Sequence, residues 1–159
     1  MFRKMRRFRQ QVSDEECKKI LKEGKRAAFS VIGDDGYPYT VPINFYYDEE
    51  DGKIYFHGSK EGHKADAMRR DNRVCLTVWN QGFKKEGHWE WNVTSVVVFG
   101  RAEPVTDQKV VVDQLRKMVA KYYPDPSEAE KEINSPIINH VQLTAITIEH
   151  MTGKLVNEK

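Results

Sequence analysis

The stretch from His57 to Lys64 reads His-Gly-Ser-Lys-Glu-Gly-His-Lys and combines two glycines, a serine hydroxyl and two lysines. It follows an apolar, strand-like pattern and precedes a helical one, so a helix N-terminus would lie beside it. Glycines let backbone N–H groups approach a ligand closely, and both ammonium groups and the helix dipole favour an anion. The stretch therefore predicts a phosphate-binding loop, although it is not a P-loop. A solvated strand-to-helix connection is the alternative interpretation.

A second segment, residues 38–45, reads Pro-Tyr-Thr-Val-Pro-Ile-Asn-Phe. Because proline has no backbone N–H, Pro38 and Pro42 predict an edge strand or a bulge and leave backbone groups unpaired. Unpaired groups along a flat apolar strand suit the polar edge of a planar ring. Taken alone, the segment is more typical of an edge strand protected against aggregation.

Other features of the sequence give weaker indications. Trp79, Trp89 and Trp91 suit stacking on a planar ligand or on single-stranded bases, but tryptophans more often fill cores or interfaces. The basic N-terminal arm, residues 1–12, suits phosphate or RNA, but a solvated arm is the simpler interpretation. The histidines and cysteines have no metal-ligand spacing, so no metal site is predicted.

Composition narrows the class of protein. The chain has 159 residues, of which 39% are hydrophobic and 31% charged, which excludes a long disordered chain and a membrane bundle. The net charge of +2 does not indicate a nucleic-acid or membrane partner. Cys17 and Cys75 form no Cys-x-x-Cys motif, and the N-terminus has no secretory signal pattern, so we expect a cytoplasmic protein.

The hydrophobic periodicity changes several times along the chain. Ser13 and Glu16 predict a capping box at the start of a first helix, which Gly24 ends. Further helices are predicted at 64–70 and from 106 to Pro124, with helical turns at 127–134. Strands are predicted at 26–32, 37–47, 53–56, 73–79, 89–102 and 141–150, the first three forming a meander. This order favours one domain over residues 1–159, an antiparallel barrel with helices packed outside it.

Taken together, these motifs resemble those of the pyridoxamine 5′-phosphate oxidase-like FMN-binding proteins, specifically the nitroimidazole-resistance branch. The resemblance spans about residues 5–155. It rests on the Gly-x-Pro-x-x-x-Pro pattern of Gly36–Pro42, the His-Gly-x-x-x-Gly-x-Lys pattern of His57–Lys64 and the closing Met-Thr-Gly-Lys of Met151–Lys154.

The resemblance implies a mainly β fold, an antiparallel split β-barrel with peripheral helices, that forms a homodimer with FMN at the subunit interface. Ser59 and Lys64, followed by Lys60, would contact the FMN phosphate, and the strand after Tyr39 would present its backbone to the isoalloxazine ring. The catalytic residue stays unassigned, with His57 as a candidate. The implied cofactor-binding residues are Thr40, Val41, Pro42, Ile43, Asn44, His57, Gly58, Ser59, Lys60, Gly62, His63, Lys64 and Thr77.

The function implied by the resemblance is an FMN-dependent oxidoreductase that reduces nitroimidazoles or other nitroaromatics and uses a small-molecule electron donor. A non-catalytic flavin- or heme-binding protein is the alternative. An RNA-binding barrel that uses the basic arm and the tryptophans is a third hypothesis, which predicts steeply salt-dependent binding.

Overall fold

A computed structural model describes residues 1–157 of the chain. The helices are α1 (Asp14–Glu23), α2 (His63–Arg70), α3 (Gln108–Tyr122) and α4 (Ser127–Ile133), with short 3₁₀ helices at Phe8–Gln10, Asp34–Gly36 and Pro136–His140. The strands are β1 (Ala27–Ile32), β2 (Pro38–Ile43), β3 (Tyr46–Asp48), β4 (Lys53–Ser59), β5 (Arg73–Trp79), β6 (Asn92–Pro104) and β7 (Val141–Asn157).

The seven strands form one antiparallel sheet in the order β2-β1-β5-β6-β7-β4-β3. Alternate residues of each strand face inward, and Phe29, Leu76 and Val98 are among the buried side chains of the main core. Helix α1 closes that core from one side through Cys17 and Leu21. The fold is therefore mainly β with peripheral helices, and the predicted split-barrel architecture is confirmed.

A second, smaller cluster lies on the opposite face of β4 and β7. There Tyr55 and Leu143 pack against Val111, Leu115 and Met118 of α3. This helix thus covers the outside of the barrel at the β3–β4 end of the sheet. Its N-terminus is capped by Asp107, whose carboxylate accepts the backbone N–H groups of the first turn.

The predicted single strand over 37–47 and its three-stranded meander are wrong. Strand β2 ends at Ile43, β3 begins at Tyr46, and the two lie at opposite ends of the sheet. The physical reason is that α3 takes up the backbone groups of Phe45, the residue between them. Its N–H donates to the Tyr122 hydroxyl at 2.9 Å, and its carbonyl accepts from Lys121 Nζ at 3.1 Å. Because the backbone of Phe45 pairs with these side chains instead of with a strand, the chain leaves one end of the sheet after β2 and joins the other end at β3.

Three further strands differ by more than one residue from the sequence prediction. Strand β4 continues to Ser59, so His57 and Gly58 of the predicted loop lie in the strand. Strand β7 continues to Asn157, and β6 covers Asn92–Pro104 rather than 89–102.

The apolar run 96–99 lies within β6, and its side chains alternate between the two faces of the sheet. Val96 and Val98 are buried, whereas Phe99 is 41% exposed on the outer face of the sheet.

The half-buried Lys121 should make stability depend on pH. Its amine also donates to the Gly24 carbonyl, and burial, together with the charge of Lys25, lowers its pKa to about 8. In the unfolded chain the pKa is about 10.4, so between these values the unfolded state binds more protons and stability rises with pH. The free energy of unfolding of the wild type relative to Lys121→Met should increase by about 2 kcal/mol between pH 7.5 and 10. Urea unfolding at both pH values measures this, and a flat difference would contradict it.

No helix within residues 1–157 is both long enough and apolar enough to cross a membrane.

Candidate functional site

The predicted phosphate loop connects the end of β4 to α2 and is ordered by its own contacts. Ser59 Oγ accepts the Glu61 N–H at 3.2 Å, and the Lys60 carbonyl accepts from the Arg69 guanidinium. Gly62 precedes α2 with a φ of 116°, which favours glycine. The loop therefore presents Ser59 and the first turn of α2 in a fixed arrangement, while the side chain of Lys60 is exposed.

Lys64 is the more buried of the two lysines in this stretch. Its Nζ lies 5.2 Å from the centre of the Phe56 ring, and only 3.7 Å from the position that a Cβ would take at Gly58. Burial lowers the pKa of this half-buried amine. Within residues 1–157 no carboxylate lies within 4.0 Å of it. A desolvated cation that lacks a counter-charge, beside glycines and a helix N-terminus, fits an anionic group.

His63, the first residue of α2, links the loop to the β1–β2 hairpin. Its imidazole stacks on Tyr39 with the ring centres 4.1 Å apart, and its Nε2 accepts the Asp34 N–H at 3.3 Å. Arg70, from the other end of α2, donates to the Asp34 carboxylate at 2.8 Å. The structure thus brings the loop and β2 together, with His63 as a positioning group between them.

Strand β2 forms a free edge of the sheet, as the two prolines predicted. It keeps a continuous register with β1, so Pro38 and Pro42 do not interrupt the ladder. The Gly33 N–H donates to the Tyr37 carbonyl at 2.8 Å, which shows which residues of β2 hydrogen-bond to β1. The backbone groups of 39, 41 and 43 therefore face β1, and those of Thr40 and the two prolines face the open edge. The edge offers one N–H, that of Thr40, between carbonyl groups.

Thr40 and Thr77 lie on the outer face of the sheet. The hydroxyls of Thr40 and Ser30 form a hydrogen bond of 2.7 Å. Thr77 lies on β5, with Ala28 of β1 between it and Pro42, so it is about 10 Å from the open edge. Of the predicted cofactor-binding residues, Thr77 is the one that the fold sets apart from the loop and the edge.

His57 and Asn44 line a cavity of about 360 Å³ between β4 and α3. Burial and the Lys64 ammonium lower the pKa of His57. The opposite wall of the cavity is formed by α3, α4 and the 3₁₀ helix 136–140, and the sequence analysis did not predict it. Two features of the sequence could have indicated these elements: the Pro-Asp-Pro break at 124–126 and the apolar pair Ile137 and Ile138.

The tryptophans and the candidate metal-binding side chains do not come together into a site within residues 1–157. The three tryptophans are all exposed, Trp89 to 70%, so they do not fill the core of this chain. The described residues contain no group of three or more histidine, cysteine or acidic side chains placed to hold a metal ion.

Comparisons with known proteins agree with this fold. A family model described as pyridoxamine 5′-phosphate oxidase matches residues 13–155. A protein proposed to confer 5-nitroimidazole antibiotic resistance, from Bacteroides thetaiotaomicron, has a similar structure with a TM-score of 0.78 and 21% identity, covering 93% of this chain and 87% of that one. No curated protein matches the chain.

Two further structures carry flavin or heme in their descriptions. A FAD-binding protein from Mesorhizobium loti matches with a TM-score of 0.68 and 25% identity, over 92% of this chain and 96% of that one. A FAD- and heme-binding protein from Mycobacterium smegmatis matches with a TM-score of 0.74 and 19% identity, over 92% and 73%. Since the family model covers 143 of the 159 residues, this chain belongs to the pyridoxamine 5′-phosphate oxidase-like family.

Proposed function

We propose that this protein is an FMN-dependent oxidoreductase whose β4–α2 loop holds the FMN phosphate. The observation that carries the proposal is the unpaired, half-buried amine of Lys64 beside Gly58 and the start of α2. Ser59 keeps its hydroxyl hydrogen free to donate to a phosphate oxygen, because its oxygen only accepts from Glu61. Lys60 and the backbone around Gly62 border the same position.

The isoalloxazine ring would lie against the open edge of β2. Its pyrimidine side carries alternating donors and acceptors, and the Thr40 N–H with its flanking carbonyls supplies the complementary groups. Asn44 and His57 follow at the end of this edge. When bound, the flavin supplies hydride and electron transfer, while the protein binds it, orients it and keeps water away.

A homodimer would complete the site. The outer face of the sheet exposes large side chains on three adjacent strands, Ile32, Trp79 and Phe99. Phe2 of the basic arm stacks on His150 and Phe99 at this face and covers part of it. Exposed apolar area of this kind is typical of an interaction surface, and a second copy of the chain is the partner we propose.

The acceptor we propose is a nitroimidazole or another nitroaromatic, with a small-molecule electron donor. The structural relative from Bacteroides thetaiotaomicron supports this class. A non-catalytic flavin- or heme-binding protein is the second candidate, which the FAD- and heme-binding relative favours.

The visible spectrum of the purified protein, followed by gel filtration with added FMN, tests the proposal. Flavin absorbance that co-elutes at the mass of a dimer is the expected result. A protein that ignores FMN overturns the flavoenzyme proposal, and heme is then the ligand to add. Oxidation of NADH or NADPH that depends on both FMN and a nitroimidazole distinguishes an enzyme from a binding protein. The absence of turnover with either donor favours the latter.

A further inference from the structure

The first nine residues of the basic arm are all either cations or large apolar residues. They read Met-Phe-Arg-Lys-Met-Arg-Arg-Phe-Arg. Five of the 26 lysines and arginines of the chain lie here without a single carboxylate, whereas the cations that follow are outnumbered by the 24 aspartates and glutamates. The net charge of +2 is thus the sum of a strongly positive arm and a slightly negative remainder.

The structure holds this arm against the sheet near both of its ends. Near its start, the Phe2 ring stacks on the His150 imidazole with the ring centres 4.6 Å apart. At its end, the Val12 N–H donates to the Gly153 carbonyl at 3.0 Å. Because His150 and Gly153 both belong to β7, the arm follows that strand and its cations are concentrated beside it.

The cations of the arm are not paired within the described part of the chain. All five are exposed, and within residues 1–157 no carboxylate lies within 4.0 Å of Arg3, Lys4, Arg6, Arg7 or Arg9. By contrast, the exposed Arg69, Arg70 and Arg73 each form an ion pair with an aspartate. A cluster of unpaired cations attracts an anionic partner.

The apolar residues of the arm indicate what kind of anionic partner fits. Phe8 is 67% exposed, and the Arg9 guanidinium lies 5.9 Å from the centre of its ring. Met1, Met5 and Phe8 recur at i, i+4 and i+7, which would place them on one face if the arm became helical on a surface. Apolar and aromatic residues combined with lysines and arginines are typical of segments that lie in the interface of an anionic bilayer.

A nucleic acid fits the arm less well. Proteins contact phosphates, sugars and bases also through serine, threonine, asparagine and glutamine side chains, and residues 1–9 contain none of these. Charge alone would attract a nucleic acid and a lipid surface alike. The exposed apolar residues therefore decide in favour of the lipid surface.

We propose that the basic arm binds this protein reversibly to the surface of a membrane that contains anionic phospholipids. Arg6 and Arg7 lie among the headgroups, and the Phe8 ring enters the interface between headgroups and acyl chains. The proposal does not rest on the flavin, because the arm contains none of the residues assigned to the FMN site.

Co-sedimentation of the full chain with vesicles tests the proposal, using phosphatidylcholine with about 30% phosphatidylserine and phosphatidylcholine alone. Arg6→Gln/Arg7→Gln removes two charges, and Phe8→Ser removes the exposed ring without changing the charge. Lys18→Gln/Lys19→Gln, at two exposed positions of α1, is the control with the same change in net charge. Since all these side chains are exposed, the variants should unfold at the wild-type temperature.

The wild type and the control should bind the phosphatidylserine vesicles with affinities within about twofold of each other. Vesicles of phosphatidylcholine alone should bind the wild type at least about tenfold more weakly. Each cation near an anionic surface strengthens binding about fivefold, so the double arginine variant should bind about 25-fold more weakly. Phe8→Ser should bind at least about threefold more weakly.

Equal binding by all four proteins, or equal binding to both kinds of vesicle, overturns the proposal. Weaker binding by the arginine variant with no change in Phe8→Ser also overturns it, because the arm would then act through charge alone. Tighter binding of a polyuridine oligonucleotide than of the vesicles overturns it in favour of a nucleic acid. Saturating FMN should leave vesicle binding unchanged, and vesicle binding by a protein that ignores FMN supports this inference and refutes the flavin proposal alone.

Discussion

Replacing Lys64 by methionine should weaken FMN binding roughly 10- to 100-fold and at the same time stabilise the flavin-free protein. Charge-assisted hydrogen bonds to a phosphate contribute about 1.5–3 kcal/mol, which corresponds to that loss of affinity. Without flavin, the same amine is half-buried against Phe56 and lacks a counter-charge. Methionine removes the desolvated charge and keeps the packing, so the free energy of unfolding should rise by up to about 1 kcal/mol.

Fluorescence titration with FMN and urea unfolding of the flavin-free protein measure the two effects. Lys53→Met is the control, since Lys53 is also half-buried but lies at the start of β4, at the end of that strand away from the loop. It should leave the affinity for FMN unchanged. If Lys64→Met binds FMN as the wild type does, the phosphate is bound elsewhere.

Removing the Tyr122 hydroxyl should cost about 2 kcal/mol of stability. In Tyr122→Phe the Phe45 N–H loses its acceptor, and the carbonyls of Phe45 and Lys25, each 2.7 Å from the hydroxyl oxygen, lose the single O–H that they share. Leaving a partly buried backbone group unpaired costs about 1–3 kcal/mol. Since the same bonds fix the connection between β2 and β3, which we call the crossover, the variant should also bind FMN more weakly.

Urea unfolding compares this variant with Tyr123→Phe, the neighbouring tyrosine, which is 58% exposed and whose hydroxyl makes no hydrogen bond within residues 1–157. The control should unfold with the wild-type midpoint. Equal stability of the two variants would mean that the crossover does not depend on the Tyr122 bonds.

Local sequence patterns predicted most of the elements correctly. The capping serine at 13 and the apolar stripe from Val110 to Tyr122 located α1 and α3, because both signals act within a few residues. The glycines and lysines of 57–64 marked a loop with the chemistry of an anion site. The prolines of β2 predicted its edge position, since a residue without an N–H is restricted to a free edge or a bulge.

The cavity and the crossover could not be predicted in this way. Residues 37–47 form a continuous β-rich run, and only the distant side chains of Lys121 and Tyr122 divide it. Likewise, residues about 60–90 positions apart along the chain, such as His57 and Ile137, meet around one cavity. The local sequence around one of these segments does not indicate that it will contact the other.

By itself, then, the sequence determined the mainly β class, the glycines, serine and lysines that the β4–α2 loop carries, and the edge position of β2. Each of these follows from residue types within one short segment. The tertiary structure decided which of those segments meet. It placed Lys64 over Phe56 without a counter-charge, joined the loop to β2 through His63 and Tyr39, and set Thr77 apart from both. These outcomes depend on strand order and register, which are fixed by the packing of the whole core.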